Sequence, residues 1–246
     1  MKLYVGWQDT ETRRWYTVGV LSEDKGSYVF AYTKGAILAK SAGRFVHLPR
    51  MTDFYKLYKS EELFPIFSNR VLPKSRPEYK NYLEWMGMEE QDVNPLTFLA
   101  RSGGEKATDN LLVYPMPEKT ADGKYKAYFF VHGLRYVPES TLELISSLQI
   151  GQRLFPMADL NNSADSLAIA LRADDPAFLI GYCPRYIAKE IGELAKRPNC
   201  SLEITVNKVN KEAPFQMMLS CKAEAIWPEG FDVCDKEECC PLTSFV

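Results

Sequence analysis

The sequence predicts an α+β protein, a β-meander with helices followed by a mostly β second domain with one main helix. Three observations predict it. The first third alternates short aromatic and β-branched runs with polar turns. The middle changes to apolar residues at helical spacing. The second half returns to strand-like runs, interrupted by one amphipathic stretch, RYIAKEIGELAKR.

The segments KLYVGW, WYTVGVL and SYVFAYT read as three strands, with TETRR and SEDKG as hairpin connections. In SEELFPIFSNRVLP, Leu63, Phe64, Phe67 and Val71 recur at helical spacing. Ser60 with Glu61 and Glu62 supplies a helix start, and Pro65 fits only in the first turn. PEYKNYLEWMGM is a second helix, opened by Pro77 and closed by Gly87, and NPLTFLARSG is a third. NLLVYPM returns to strand. Residues 117–125, PEKTADGKY, are polar with a turn at Asp122-Gly123, which sets a domain boundary after a first domain of residues 1–118. The second domain, residues 125–228, reads as a strand over 126–133, a turn segment, and strands in QRLFPMA, SLAIALR and AFLIGYCP. The amphipathic helix follows, then closing strands in SLEITVNKVN and QMMLSCKAEAIW. Residues 229–246 have no period and read as a loosely held tail.

Composition narrows the function. The formal net charge is −2, so partners held by bulk basicity, such as long duplex DNA or an anionic membrane, are disfavoured. Residues 124–228 carry 12 Lys/Arg against 11 Asp/Glu, so a nucleic-acid site there must be compact, made of a few cations and rings. No run approaches the ~18 apolar residues of a membrane span. With no secretory leader in the first residues, a cytoplasmic protein is expected. The six cysteines, Cys183, Cys200, Cys221, Cys234, Cys239 and Cys240, are then expected to be free thiols. Cys234, Cys239 and Cys240 lack C-x₂-C spacing, and His47 and His132 are the only histidines, so neither a metal nor a cofactor is expected.

Catalytic patterns are weak. RSGGEKATDN lacks the order of a phosphate loop and follows a helix instead of preceding one, so it reads as a turn before a strand. RADDP, with Asp174 and Asp175, reads as a hairpin turn. A binding protein is expected, not an enzyme. The informative stretch is YKAYFFVHGLRYVPES, where an apolar strand runs into a glycine, an arginine and a tyrosine. Either both side chains merely cover the surface, or a site needs a cation beside a ring.

GLRY, the N-N-x-x-D-x-x-A-I pattern from Asn161 to Ile169, and I-G-Y-x-P-R from Ile180 to Arg185 ahead of a helix together resemble the HIRAN domain. That family occurs at the front of helicase-like DNA remodellers in eukaryotes and in short bacterial proteins. The resemblance implies a barrel related to the OB fold that grips the 3′ end of single-stranded DNA. It implies that Arg135 faces a phosphate and Tyr136 borders a base. Asp165, helped by Asn162, would accept a hydrogen bond from the terminal 3′-hydroxyl. Tyr182 and Arg185 would hold phosphates, and Phe215 would be a second stacking platform. Ala164 stands where the DNA-binding members carry a tyrosine, which removes a ring from the terminal nucleotide.

The first domain, through LYVGW, YTVGVL, YVFAY, FPIFSNRVLP and LARSGGEKATDNLLVYP, resembles the N-terminal subdomain of HipA-type toxin kinases. Phe64, Phe67, Asn69, Leu72 and Pro73 carry the match. The kinase core does not follow, so the resemblance implies no kinase activity. It implies the alternative of an antitoxin-like bacterial regulator that binds a HipA-like kinase, or a helix-turn-helix protein, without DNA binding. The apolar residues Phe64, Phe67, Leu83, Trp85 and Met86 are then expected to need cover from the second domain and a partner.

Overall fold

The computed structural model of the chain describes residues 1–163, 165–231 and 237–244. They fall into two compact units. One holds residues 1–79, 89–116 and the described part of the C-terminal segment, and the other holds 80–88 and 117–231.

The first unit opens with the meander β1 (Lys2–Gln8), β2 (Trp15–Asp24) and β3 (Ser27–Tyr32). Lys25 and Gly26 both have positive φ, the backbone of a tight two-residue hairpin, and Asp24 pairs with Ser27 across it. After β3 come α1 (Lys34–Ser41), β4 (Tyr58–Ser60), α2 (Pro65–Ser68), α3 (Tyr79–Met86), α4 (Pro95–Ser102) and β5 (Leu111–Pro115). The sheet order is β4-β3-β2-β1-β5, all antiparallel. Its core is aromatic. Phe30 meets Tyr32 edge-on at 5.0 Å, Tyr32 lies 4.7 Å from Phe54, and Phe30 lies 5.8 Å from Phe67. The buried Tyr32 hydroxyl donates to Met51 O at 2.7 Å and accepts from Leu48 N at 2.6 Å, pinning the 45–55 loop to the sheet.

Two local expectations differ here. The helix expected from Ser60 is only the four-residue α2; Ser60 lies in β4, and its hydroxyl caps a turn by accepting from Glu62 N. Helix α1 was not foreseen, because it packs through Gly35, Ala36 and Ala39, which give almost no apolar periodicity. A Cβ on Gly35 would lie 2.1 Å from Thr17 O, so the helix sits on the sheet backbone. RSGGEKATDN is a turn, as expected, and its filling is a buried arginine. Arg70 donates to Gly104 O and Ile66 O at 2.8 Å each and pairs with Asp109.

The C-terminal segment is not loose where it is described. Lys34 N donates to Cys240 O at 2.9 Å, Leu242 N to Tyr32 O at 2.8 Å, and Thr243 Oγ1 to Tyr55 O at 2.7 Å. Cys239 is buried with Tyr4 and Val20. Cys240 is half-buried, and Cys234 lies outside the described residues. These bonds are mostly backbone to backbone, so they left no side-chain pattern in the sequence.

The second unit contains β6 (Lys124–Phe130), α5 (Glu139–Ser147), β7 (Arg153–Ala158), β8 (Ile169–Ala173), β9 (Phe178–Tyr182), α6 (Arg185–Ala195), β10 (Glu203–Val209) and β11 (Leu219–Ile226). The antiparallel sheet runs β6-β11-β10-β7-β8-β9. It is not the closed barrel expected. Its two edges meet through one bridge, His132 with Tyr182. Helix α6 buries Ile187, Ala188, Ile191 and Leu194 at helical spacing, against β7 and β8. Helix α5 falls where only a turn segment was expected; Ile145 is its single fully buried side chain, too little for a clear period. Residues 80–88 belong to this unit. Asn210 Nδ2 donates to Trp85 O at 2.9 Å, and Lys208 Nζ to Glu84 O at 2.6 Å. Leu83 and Met86, expected to need cover, are buried.

Removing residues 237–246 should lower the stability of the first unit by about 2–4 kcal/mol, from three lost hydrogen bonds at about 0.5–1.5 kcal/mol each. Urea unfolding followed by tryptophan fluorescence measures it, and an unchanged midpoint would show that the segment is only resting on the surface.

Candidate nucleic-acid interface

The turn after β6 explains GLRY. Gly133 has φ +86°, a left-handed backbone that favours glycine. Its missing side chain also clears the Tyr182 ring, 3.5 Å from where a Cβ would stand. A single 3₁₀ turn, Leu134–Tyr136, follows. Leu134 points into the core, and Arg135 and Tyr136 point out. Tyr136 is 75% exposed. The Arg135 guanidinium lies 4.6 Å from the centre of its ring and donates to its hydroxyl. A large ring held out in water with a cation on its face is a poor arrangement for stability and a suitable one for receiving a base. A second 3₁₀ turn, Phe215–Met217, packs beside the first, with Met217 buried and Phe215 47% exposed.

The loop between β7 and β8 forms the polar side. Asp159 is its hub. Its Oδ2 accepts from the Tyr182 hydroxyl at 2.9 Å and from Asn162 Nδ2 at 3.2 Å, and its Oδ1 accepts from Asn161 N. The Tyr182 hydroxyl, then the Asn162 amide, hold the Asp159 carboxyl below the usual carboxylate range. The same bond pushes Tyr182 above the ordinary phenol value. Asn162 Oδ1 accepts from Asp165 N at 2.9 Å. Asp165 Oδ1 accepts from Leu167 N at 3.0 Å, and its Oδ2 meets Arg185 Nε at 3.1 Å, at the first residue of α6. A carboxylate oxygen offers about two lone-pair directions, so the Asp165 oxygens, each with one of these partners, retain capacity for a further donor.

The seven residues expected at the site thus gather in one region of the second unit. Asn162, Asp165, Tyr182 and Arg185 form a continuous polar network through Asp159, and Gly133 joins it to Arg135 and Tyr136. Tyr182 and Arg185, expected to meet phosphates, also have partners within the fold: Tyr182 is bound to Asp159 and Arg185 to Asp165. Asp159 itself was given no role in the sequence reading. Its signal was there in Asp-Leu-Asn-Asn, the composition of a side-chain-capped turn. Leu160, 88% exposed, and Leu167 flank this turn and were also passed over. Ala164 lies outside the described residues.

Comparison with known proteins places this region. No curated protein matches the chain. Among solved structures, a protein from Lactobacillus plantarum is 19% identical over 41% of this chain and 96% of its own, with a TM-score of 0.33. The HIRAN domain of human HLTF is 15% identical over 43% of this chain and 79% of its own, with a TM-score of 0.31. The sequence model of the HIRAN domain family matches residues 124–224, the span that holds all seven residues and Asp159. The second unit of this chain therefore carries a HIRAN domain.

Proposed function

We propose that the HIRAN domain of this protein binds the free 3′ end of single-stranded DNA, as a binding module with no catalytic step. The observation that carries this reading is the Asp165 carboxylate, fixed by Leu167 N and Arg185 yet with acceptor capacity left, in the same region as the exposed rings of Tyr136 and Phe215. A carboxylate accepts from a hydroxyl and repels a phosphate. It therefore suits an unphosphorylated terminus. Exposed rings add about 1–3 kcal/mol per stacked base without reading sequence. Arg135 supplies the cation for the neighbouring phosphate. Arg185 lowers the cost of placing Asp165 near a polyanion.

The kinase-binding alternative drew on apolar side chains that needed cover. Leu83 and Met86 of the second unit and Phe67 of the first are buried, and Phe64 and Trp85 are half-buried, so most of that surface is covered within the chain.

A short oligonucleotide with a free 3′-hydroxyl should bind more tightly than its 3′-phosphorylated twin, by about tenfold or more if one charged hydrogen bond of about 1.5–3 kcal/mol is replaced by repulsion. Asp165→Asn should remove the preference. Fluorescence anisotropy reads both, and equal binding of the two ends by the unaltered protein would sink the reading.

Tyr182→Phe tests the hub. The folded pKa of Asp159 is depressed, so its contribution to loop order is present above the unfolded carboxylate value and is lost as pH falls through the lowered one. Without the phenol, the Asp159 pKa should rise toward the ordinary carboxylate range and the loss should move to higher pH. Carboxyl-carbon NMR titration measures the shift, and an unmoved Asp159 would show that the phenol does not govern it.

A further inference from the structure

The outer face of β7, β8 and β9 continues the site along the sheet. Register fixes which side chains share that face. Phe155 pairs with Arg172 and Met157 with Ala170 across β7 and β8. Ala170 pairs with Tyr182 and Arg172 with Leu179 across β8 and β9. Directly opposed residues lie on one side of the pleat, so Tyr182, Met157, Phe155, Arg172 and Leu179 are on the same face. The opposite face carries Leu154, Leu171 and Ile180, all buried, with α6 against it.

On the outer face, Met157 is 43% and Leu179 46% exposed. Phe155 is half-buried, with the guanidinium carbons of Arg153 and Arg172 each 5.3 Å from its ring centre. Arg172 pairs with Asp174 at 2.9 Å, a hairpin carboxylate open to water. Such a pair is worth about 0–1 kcal/mol and is readily exchanged for a phosphate. No carboxylate lies within ion-pair reach of Arg153 among the described residues. Two guanidiniums beside one half-buried ring repel each other and satisfy no buried acid. Charge of this sign beside open apolar surface is complementary to a polyanion whose bases are flat and apolar on their faces.

We propose that this face is the track for the body of the single strand whose end is held at Asp165. Phosphates meet Arg153 and Arg172, and bases lie on Phe155, Met157 and Leu179. The proposal rests on the DNA-end reading above. Asp159 directly follows β7, so Arg153 stands six residues, about 20 Å, from the end site at ~3.3 Å per residue. That spans about six nucleotides at ~3.4 Å each, within the ~4–16 that one OB-type fold covers.

The test compares a thymidine trinucleotide with a thymidine decanucleotide, both with free 3′-hydroxyls, by anisotropy at several salt concentrations. The unaltered protein should bind the longer strand about tenfold more tightly or better, because it adds phosphate and stacking contacts. Arg153→Ala with Arg172→Ala should abolish the length gain, flatten the salt slope by about 1.4, and leave trinucleotide binding unchanged. Lys59→Ala with Lys106→Ala, an equal charge loss in the first unit, should keep the length gain. Trinucleotide binding without a length gain, or a gain that survives loss of both arginines, would overturn the track alone. Failure of the unaltered protein to bind either strand would overturn the end-site reading and the track with it.

Discussion

Two backbone hydrogen bonds hold the site of the HIRAN domain together. His132 N donates to Tyr182 O at 2.9 Å, and Tyr182 N returns to His132 O at 3.0 Å. They join the far edges of the six-stranded sheet, and they require a residue with no side chain next door. A Cβ on Gly181 would lie 2.6 Å from His132 O and 2.7 Å from Val131 Cγ1. The first is backbone and has nowhere to move. With this junction made, the Gly133 turn lies against Tyr182 and throws Arg135 and Tyr136 outward. The Tyr182 ring in turn carries its hydroxyl to Asp159, and Asp159 orders the loop that presents Asn162 and Asp165. Residues fifty positions apart in sequence thus take their places from one pair of main-chain bonds.

Charge in this region is arranged locally, not in bulk. Asp165 is matched by Arg185, Asp174 by Arg172, and Asp159 by neutral donors. A groove of one sign would draw in any polyanion, duplex or single strand, and bind it with a steep dependence on salt. A balanced network cannot do that. Under the end-binding function proposed above, selectivity would come instead from the donor or acceptor character of the group that stands opposite each carboxylate or guanidinium. The near-neutral composition of residues 124–228 follows from the same design.

The sequence made the strands legible where aromatic and β-branched residues crowd together, as in β1, β2 and β3, and made α6 legible through its four buried positions. The candidate site was legible as a set of residues that the fold brings together. Arg135, Tyr136, Asn162, Asp165, Tyr182, Arg185 and Phe215 lie in one region. What stayed hidden has physical reasons. Helix α1 packs by smallness, through Gly35, Ala36 and Ala39, and smallness has no period. Asp159 works through geometry, since its role exists only once β9 brings Tyr182 within 2.9 Å. The pairing of Arg185 with Asp165 is likewise a product of the fold, because the helix start and the loop meet only in three dimensions. The open barrel edge depends on the length of β9 and a single bridge, which no composition reports.

The course of the chain sets a limit on how far the two units can be treated as separate modules. A boundary at residues 117–125 describes one crossing, yet the chain crosses more than once. Residues 80–88 leave the first unit's sequence to supply Trp85 O and Glu84 O as acceptors for Asn210 and Lys208 of the second. The C-terminal end, in turn, supplies Cys240 O and Leu242 N to the meander of the first. A single cut after residue 118 would therefore leave each part short of a segment. The N-terminal piece would keep Leu83 and Met86, which belong to the second unit, and would lose the backbone partners of Tyr32 and Lys34. Exposed apolar surface and open strand edges are the features that make a fragment aggregate. An N-terminal subdomain that acts alone as a partner for another protein must be complete without such loans. In this chain the loans tie the meander and the HIRAN domain into a protein whose units depend on each other's segments to fold.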